Sequence, residues 1–393
     1  MSAHLHSPRR RAALALAAAM VVIGGVRAQA QETIKIGVIM PMTGQFQSVG
    51  WQAHAAIRQF VAKHGDTVAG KKVEILFKDD GGVADNAKRQ AQEMIVRDKI
   101  NVLFGFGLTP IAMAVAPLAT EAKVPMIVTV ASTSVVVDRS PFIVRTIQTV
   151  PQVANIIGAW TAKTGSKKVV TLVSDYAPGH EMEDWFAKAF EKDGGKVLER
   201  IRVPLANPDF APFLQRARDA APDALFAFVP AGVGAIFAKQ FAERGMDKTG
   251  IRFVVMSDVL DDDLLNNMGD PVLGFVSGGP YSIAHDSSEN RDFVKGFRAA
   301  NSNRRPNIVS VSAYDGMEVL YRALKANNGN ADGTKLVEAM KGMKWESPRG
   351  PVQIDAATRD IVQNIYMRKV ERRDGELYNI EFETFPAVKD PTR

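Results

Sequence analysis

Residues 102–135 constrain the fold of this chain more than any other stretch. Val102-Leu103-Phe104-Gly105-Phe106 is a short apolar run closed by glycine, the pattern of a strand buried on both faces of a parallel sheet. Gly107-Leu108-Thr109-Pro110 then turns the chain, with proline suited to the first position of a helix. The spacing predicts a packed helix over 111–121 and a second buried strand over 124–130, which ends in Ala131-Ser132-Thr133-Ser134. Strand, crossover helix and strand form a βαβ unit, and such a unit commits the chain to a parallel sheet with helices on its faces.

Open parallel sheets bind ligands in the crevice beyond the carboxyl ends of their strands. There the backbone N–H groups and short hydroxyls of Thr109, Ala131, Ser132 and Thr133 suit an anion such as a carboxylate. Helix capping and turn formation use the same residue types, so this stretch by itself leaves binding and capping both open.

The first thirty residues stand apart. Arg9-Arg10-Arg11 precedes an apolar core over 12–22, and Ala28-Gln29-Ala30 is a small-x-small cleavage site, so residues 1–30 read as a secretory signal. That apolar core falls short of the ~20 residues a membrane span needs. The formal net charge of +6 includes the signal's four arginines and no acids, which leaves +2 on the mature chain. A near-neutral exported chain is no candidate for nucleic-acid binding. Zero cysteines exclude disulfides, thiol catalysis, zinc-thiolate sites and lipid anchoring through cysteine.

The same strand–turn–helix unit recurs along the chain. Strand 33–40 runs into a polar turn over 41–50 that places Ser48 at a crevice, and a helix follows over 51–64. Strand 72–77 ends in Asp79-Asp80-Gly81-Gly82, where the two acids read as caps for the helix over 84–97. Residues 142–145 are extended, and 146–151 cross to a second series with strands at 168–174, 197–203, 224–229, 253–256 and 272–277. Their carboxyl ends carry Tyr176 and Pro178, Ala231, and Asp258. Gly278-Gly279-Pro280-Tyr281 carries the chain back to helices at 288–301, 311–327 and 334–343. Tail strands follow at 352–354, 365–371 and 377–383, the last two joined by Asp374-Gly375 as a hairpin. About 360 mature residues in two such series predict two domains.

Enzymatic and cofactor motifs are missing. Gly105-x-Gly107 and Gly232-x-Gly234 follow strands, but Pro110 and Phe237 stand where a dinucleotide fingerprint has its third glycine. His54, His64, His180 and His285 lack metal-ligand spacing, and no nucleophile, base and orienter set is readable. We therefore expect no cofactor, no metal and no catalysis. Asp258, at a strand end opposite Thr133, suits a substrate ammonium or a helix cap. Tyr176 and Tyr281 suit either closure over an apolar ligand body or core packing.

Several segments in order carry a resemblance: Ile36-Gly37-Val38 with Pro41-Met42-Thr43-Gly44, Phe77-Lys78-Asp79-Asp80-Gly81, and Val124-Pro125 with Ala131-Ser132-Thr133. Asp175-Tyr176-Ala177-Pro178-Gly179 and Ala313-Tyr314-Asp315-Gly316 continue it. Over the whole mature chain the sequence resembles type I solute-binding proteins of ABC importers, in the leucine/isoleucine/valine-binding family. The resemblance implies two Rossmann-like lobes with parallel sheets, joined by three crossing strands and closing over ligand by hinge bending. It implies that Thr109, Ala131, Ser132 and Thr133 contact the ligand's carboxylate and amine, and that an acid near Asp258 meets the ammonium.

The expected function is capture of a small carboxylate-bearing solute in the periplasm and its delivery to an inner-membrane ABC permease, by a monomer. A branched-chain or related amino acid is slightly favoured as the solute. The alternatives are aromatic acids or amide- and urea-like solutes, a sensing module for a membrane receptor, and a secreted α/β enzyme. Lobe one is expected from 31–149 with 281–355, and lobe two from 150–280 with 356–393. Ser48, Thr109, Ala131, Ser132, Thr133, Tyr176, Pro178, Ala231, Asp258 and Tyr281 are the expected ligand contacts.

Overall fold

Two separate sheets organise the chain in the computed structural model, which describes residues 33–393 and Met1. The signal expected over 1–30 lies outside the described residues except for Met1. The first sheet holds β1 (Thr33–Met40), β2 (Thr67–Val68), β3 (Lys71–Asp79), β4 (Val102–Gly105), β5 (Met126–Val128) and β6 (Ile143–Arg145). Its order is β2-β3-β1-β4-β5-β6, and every pairing except β2 with β3 is parallel. The second sheet begins with β7 (Lys168–Ser174), β8 (Lys196–Val203), β9 (Ala224–Phe228), β10 (Arg252–Met256) and β11 (Val276–Gly279). It is completed by β12 (Lys344–Ser347), β13 (Gly350–Ile354), β14 (Ile361–Arg373) and β15 (Glu376–Val388). The order is β12-β13-β14-β11-β10-β9-β7-β8, with β15 paired to β14.

Apolar strands buried on both faces need a cover on each side, and the chain supplies it. Val38, Val102 and Phe104 pack on one side of the first sheet with the helices Gln47–His64 and Ile308–Ala326. Leu103, Met126 and Val128 pack on the other side with Ala84–Glu93 and Thr109–Ala122. The second sheet is likewise sandwiched, Leu172 and Val255 on one side and Val173 and Val254 on the other. Among the described residues no helix is long and apolar enough to cross a membrane.

The chain passes between the two sheets three times. The first passage is 146–149, between β6 and the helix Val150–Lys163. The second follows β11 through Ser282 towards the helix Ser288–Ala300, whose Phe293 and Phe297 pack in the first core. The third runs along β14, where Ile361 belongs to the first core and Ile365 and Met367 to the second. β12 and β13 pair into the second sheet, yet Trp345, Val352 and Ile354 pack in the first core.

A buried arginine holds each passage. Arg145 Nε donates to Asp360 Oδ1 (2.7 Å), at the start of the third passage. Arg349 Nη2 donates to the Thr146 carbonyl (2.6 Å) in the first, and Arg368 Nη1 to the Tyr281 carbonyl in the second. All three side chains are fully buried.

Local expectations were revised at three places. Asp79 and Asp80 do not cap the next helix, which begins after Val83 without a side-chain cap. Asp79 Oδ1 instead accepts from the N–H groups of Met42 and Gly81 (both 2.8 Å) and fixes the turn after β1. The strand expected over 272–277 forms only from Val276, because 270–272 make a helical turn and Gly274 at φ +79° redirects the chain. Lys344–Ser347 is a strand that the sequence did not suggest. The hairpin at Asp374-Gly375 forms as expected, both residues at positive φ (+49° and +82°) and β14 antiparallel to β15.

Candidate functional site

Strand order reverses in the first sheet between β1 and β4, and in the second between β7 and β9. Loops diverge at such a switch point and leave a crevice beyond the strand ends. Here the two crevices meet in one cavity. The segment after β1 supplies Phe46 from its loop and Val49 from the first turn of the helix Gln47–His64, and the segment after β4 supplies Gly107 and Leu108 from its loop and Thr109 from the helix start. From the second sheet come Tyr176 and Pro178 after β7, and Phe228, Pro230 and Ala231 at the end of β9. Val130, Ala131 and Ser132 after β5, and Asp258 after β10, complete it.

Seven of the ten residues singled out from the sequence line this cavity: Thr109, Ala131, Ser132, Tyr176, Pro178, Ala231 and Asp258. Thr133 lies just behind, its Oγ 2.8 Å from Thr109 Oγ. Ser48 faces the opposite loop: a Cβ built on Gly232 would come within 2.8 Å of its Oγ, and Gly232 sits at φ +90°. Tyr281 is not in the cavity. It is buried in the first core, and its hydroxyl donates to Asn290 Oδ1 (3.1 Å). His180, beside the cavity turn, is an exposed partner of Asp175 (2.6 Å).

The first-sheet wall is a donor surface. The helix Thr109–Ala122 starts with the Thr109 N–H directed out of its first turn, the end of a helix that favours negative charge. Among the described residues neither that N–H nor the N–H and hydroxyl of Ser132 has a protein partner. The turn carrying them is held from below by Arg145, whose Nη1 donates to the Thr133 carbonyl (2.6 Å) and the Ala131 carbonyl (3.4 Å). No sequence signal marked Arg145, since its contacts come from a distant loop and from its own neighbours' backbone.

Aromatic and proline surfaces dominate the opposite wall. Tyr176 and Phe228 stack nearly parallel, 6.2 Å between centroids at 11°. Burial drives the Tyr176 hydroxyl well above its usual pKa, with the negative Asp258 adding to the shift. Asp258 itself is pushed up to about 6 by burial, against weaker lowering by the Ser257 hydroxyl and Arg368. Among the described residues no lysine, arginine or histidine lines the cavity, and no acidic or histidine cluster is arranged to hold a metal ion.

Two further links join the segments that follow the strands of the two sheets. The Ser134 N–H donates to Glu181 Oε2 (3.0 Å), and the Ser134 hydroxyl also donates to that carboxylate. On the other side Gln45 Nε2 donates to the Leu205 carbonyl (3.0 Å) and its Oε1 accepts from the Asn207 N–H (3.1 Å). Burial raises the Glu181 pKa, opposed by the Ser134 bonds and by Arg145.

Comparison with known proteins places this geometry in context. A family model described as periplasmic binding protein matches residues 33–376. The chain is 41% identical to the Leu/Ile/Val-binding protein homolog 6 of Brucella melitensis, over 96% of this chain and 98% of that one. It is 59% identical, with a TM-score of 0.91, to an ABC transporter solute-binding protein from Rhodopseudomonas palustris BisB5 solved with 3,4-dihydroxybenzoic acid. That match covers 92% of this chain and 99% of the other. A solute-binding protein from Rhodopseudomonas palustris HaA2, solved with p-hydroxybenzoic acid, matches at 41% identity and a TM-score of 0.89, covering 92% and 99%.

Proposed function

The chain belongs to the periplasmic binding protein family, and from that premise we propose that it captures a small aromatic carboxylate, of the benzoate class, for an ABC importer. Proteins of this family bind a small solute and work with permease components; they are not enzymes. One observation carries the choice of solute. Unpartnered donors on one wall face an aromatic wall, in a cavity that no cationic side chain lines. The carboxylate meets the N–H groups of Thr109 and Ser132 and the Ser132 hydroxyl, and the ring lies against Tyr176 and Phe228.

A branched-chain amino acid is the second reading, and Asp258 speaks for it as an acid within reach of an ammonium. The aromatic reading is supported further by the 59% identical relative solved with an aromatic acid. Calorimetry with benzoates on one side and leucine, isoleucine and valine on the other separates the two. Benzoates are expected to bind; binding of leucine with silence from every benzoate would overturn the reading. Ser132→Ala is expected to weaken the bound acid by about 1.5–3 kcal/mol, the worth of a hydrogen bond to a charged group. Unchanged affinity would reduce Ser132 to a turn former.

Binding closes two lobes that turn about the three passages, lobe one from residues 33–149 with 281–355 and lobe two from 150–280 with 356–393, in a monomer. The Ser134–Glu181 link exists only where the lobes meet, so it adds to closure and touches no solute. Glu181→Ala is expected to weaken every bound solute by a similar factor of about 5–30, with little change in unfolding of the solute-free protein. A loss confined to one solute, seen across a ligand panel, would place Glu181 in the ligand contacts instead.

A further inference from the structure

Asp258 has a hydrogen-bond acceptor that the aromatic-acid reading does not by itself use. The residue lies in the helical turn Ser257–Leu260 at the end of β10, and the turn is tightly held. Its own N–H donates to Met256 Sδ (3.3 Å), Val259 and Leu260 are buried in the second core, and Gly279 packs on Ser257 with no room for a Cβ. The carboxylate direction is therefore fixed by the fold. Oδ1 accepts from the Ser257 hydroxyl (3.2 Å), and among the described residues Oδ2 has no donor. Arg368, the nearby cation, is committed elsewhere: Nε and Nη2 donate to Ser277 Oγ (3.2 and 3.0 Å), and Nη1 to the Tyr281 carbonyl.

Asp258 is only partly buried, so its open oxygen beside Tyr176, Phe228 and Pro230 can meet water while the cavity is empty; a solute that displaces that water has to bring a donor in its place. The number of donors decides between candidates. An ammonium brings three N–H groups, each in need of an acceptor once water is excluded. Among the described residues, the oxygen-bearing side chains on this wall are Asp258 and Tyr176. A phenolic hydroxyl brings one O–H, which matches the one open oxygen, and an O–H donated to a carboxylate is among the stronger hydrogen bonds.

We propose that Asp258 is the specificity-determining residue of the cavity: its free carboxylate oxygen accepts a ring hydroxyl, so that the protein selects hydroxybenzoates over benzoate. The proposal rests on the aromatic-acid reading above. It assigns the carboxylate of the solute to Thr109 and Ser132 and the ring hydroxyl to Asp258, one anchor from each sheet. Neither anchor alone reads the whole molecule.

The test is calorimetry of benzoate, 4-fluorobenzoate, 4-hydroxybenzoate and 3,4-dihydroxybenzoate on the native protein, on Asp258→Asn and on Asp258→Ala. The native protein is expected to prefer the hydroxylated acids to benzoate and 4-fluorobenzoate by at least about tenfold. Asp258→Ala is expected to bring that ratio close to one, through a larger loss for the hydroxylated acids than for benzoate, and Asp258→Asn, which keeps the shape, to give an intermediate ratio. Should Asp258→Ala fail to fold, the shape-conserving Asp258→Asn decides alone. A native ratio near one, or a ratio that survives both variants, overturns the assignment and leaves the aromatic reading standing. Binding of none of the four acids by the native protein overturns both.

Discussion

Arg349→Met is expected to lower the unfolding free energy by about 3–5 kcal/mol, the loss that follows when one partner of a buried ion pair is removed. Arg349 is fully buried, and its Nε and Nη2 donate to Asp315 Oδ2 at 3.0 and 2.6 Å. Nη1 donates to Gln363 Oε1 (2.9 Å) and Nη2 also to the Thr146 carbonyl, so one side chain ties the helix Ile308–Ala326 to the first and third passages. Asp315 keeps only Trp345 Nε1 (2.8 Å) and Ser347 Oγ (2.9 Å) once the guanidinium is gone. Burial already raises the Asp315 pKa against the lowering by Arg349. Without the arginine, the folded-state pKa stands further above the unfolded one. The native state then holds the proton more tightly, so the deficit is smaller in acid and grows as pH rises through that folded pKa. Urea unfolding across pH measures both effects. The double variant Arg349→Met, Asp315→Leu should lose less than the single one. A single-variant loss below about 1 kcal/mol would show that water reaches the pair.

Gly234→Ala is expected to weaken solute binding by at least about tenfold, together with about 1–3 kcal/mol of stability lost to overpacking. Gly234 opens the helix Gly234–Glu243, and a Cβ there would stand 2.0 Å from the Val259 carbonyl oxygen and 2.8 Å from its carbon. Backbone cannot rotate aside as a side chain can, so the turn carrying Asp258 has to shift. The carboxylate moves with it, although Gly234 itself lies outside the cavity lining. Calorimetry and thermal melts together test this. Native affinity in a folded Gly234→Ala protein would mean that the turn and the helix move together without disturbing the cavity.

The alternating units of the chain were readable because each carries its own evidence. β7 was legible to the residue as Lys168–Ser174, since an apolar run bounded by polar turns needs no distant partner to be recognised. Asp374-Gly375 was legible for the same reason: two adjacent residues able to take positive φ between alternating strands. The crevice turns followed from topology, since a parallel sheet places its loops at one end. Lys344–Ser347 escaped notice because four residues with only Trp345 and Ser347 buried have too short an alternation to distinguish from a loop.

Long-range chemistry was the illegible part. Tyr176 and Tyr281 looked equivalent as aromatic residues near strand ends, yet one lines the cavity and the other finds Asn290 in the core. Arg145, Arg349 and Arg368 are ordinary charged letters until the fold supplies Asp360, Asp315 and the Tyr281 carbonyl. Phe46 and Phe228 were apolar residues with no mark to separate a cavity wall from a core. Cavity walls are chosen by the meeting of two sheets, which sequence periodicity does not encode.

The three buried arginines bear on how the molecule bends. A guanidinium keeps its charge at any ordinary pH, and each of these three grips backbone carbonyls or a carboxylate at one passage between the sheets. The anchored residues are therefore stiff pivots, and rotation is confined to the few unanchored bonds beside them. If the two lobes proposed above turn on these pivots, they behave as levers. A displacement of a fraction of an ångström at the cavity, close to the fulcrum, becomes a larger travel at the far rims. Rim travel of that kind would be the outward sign that separates a loaded carrier from an empty one.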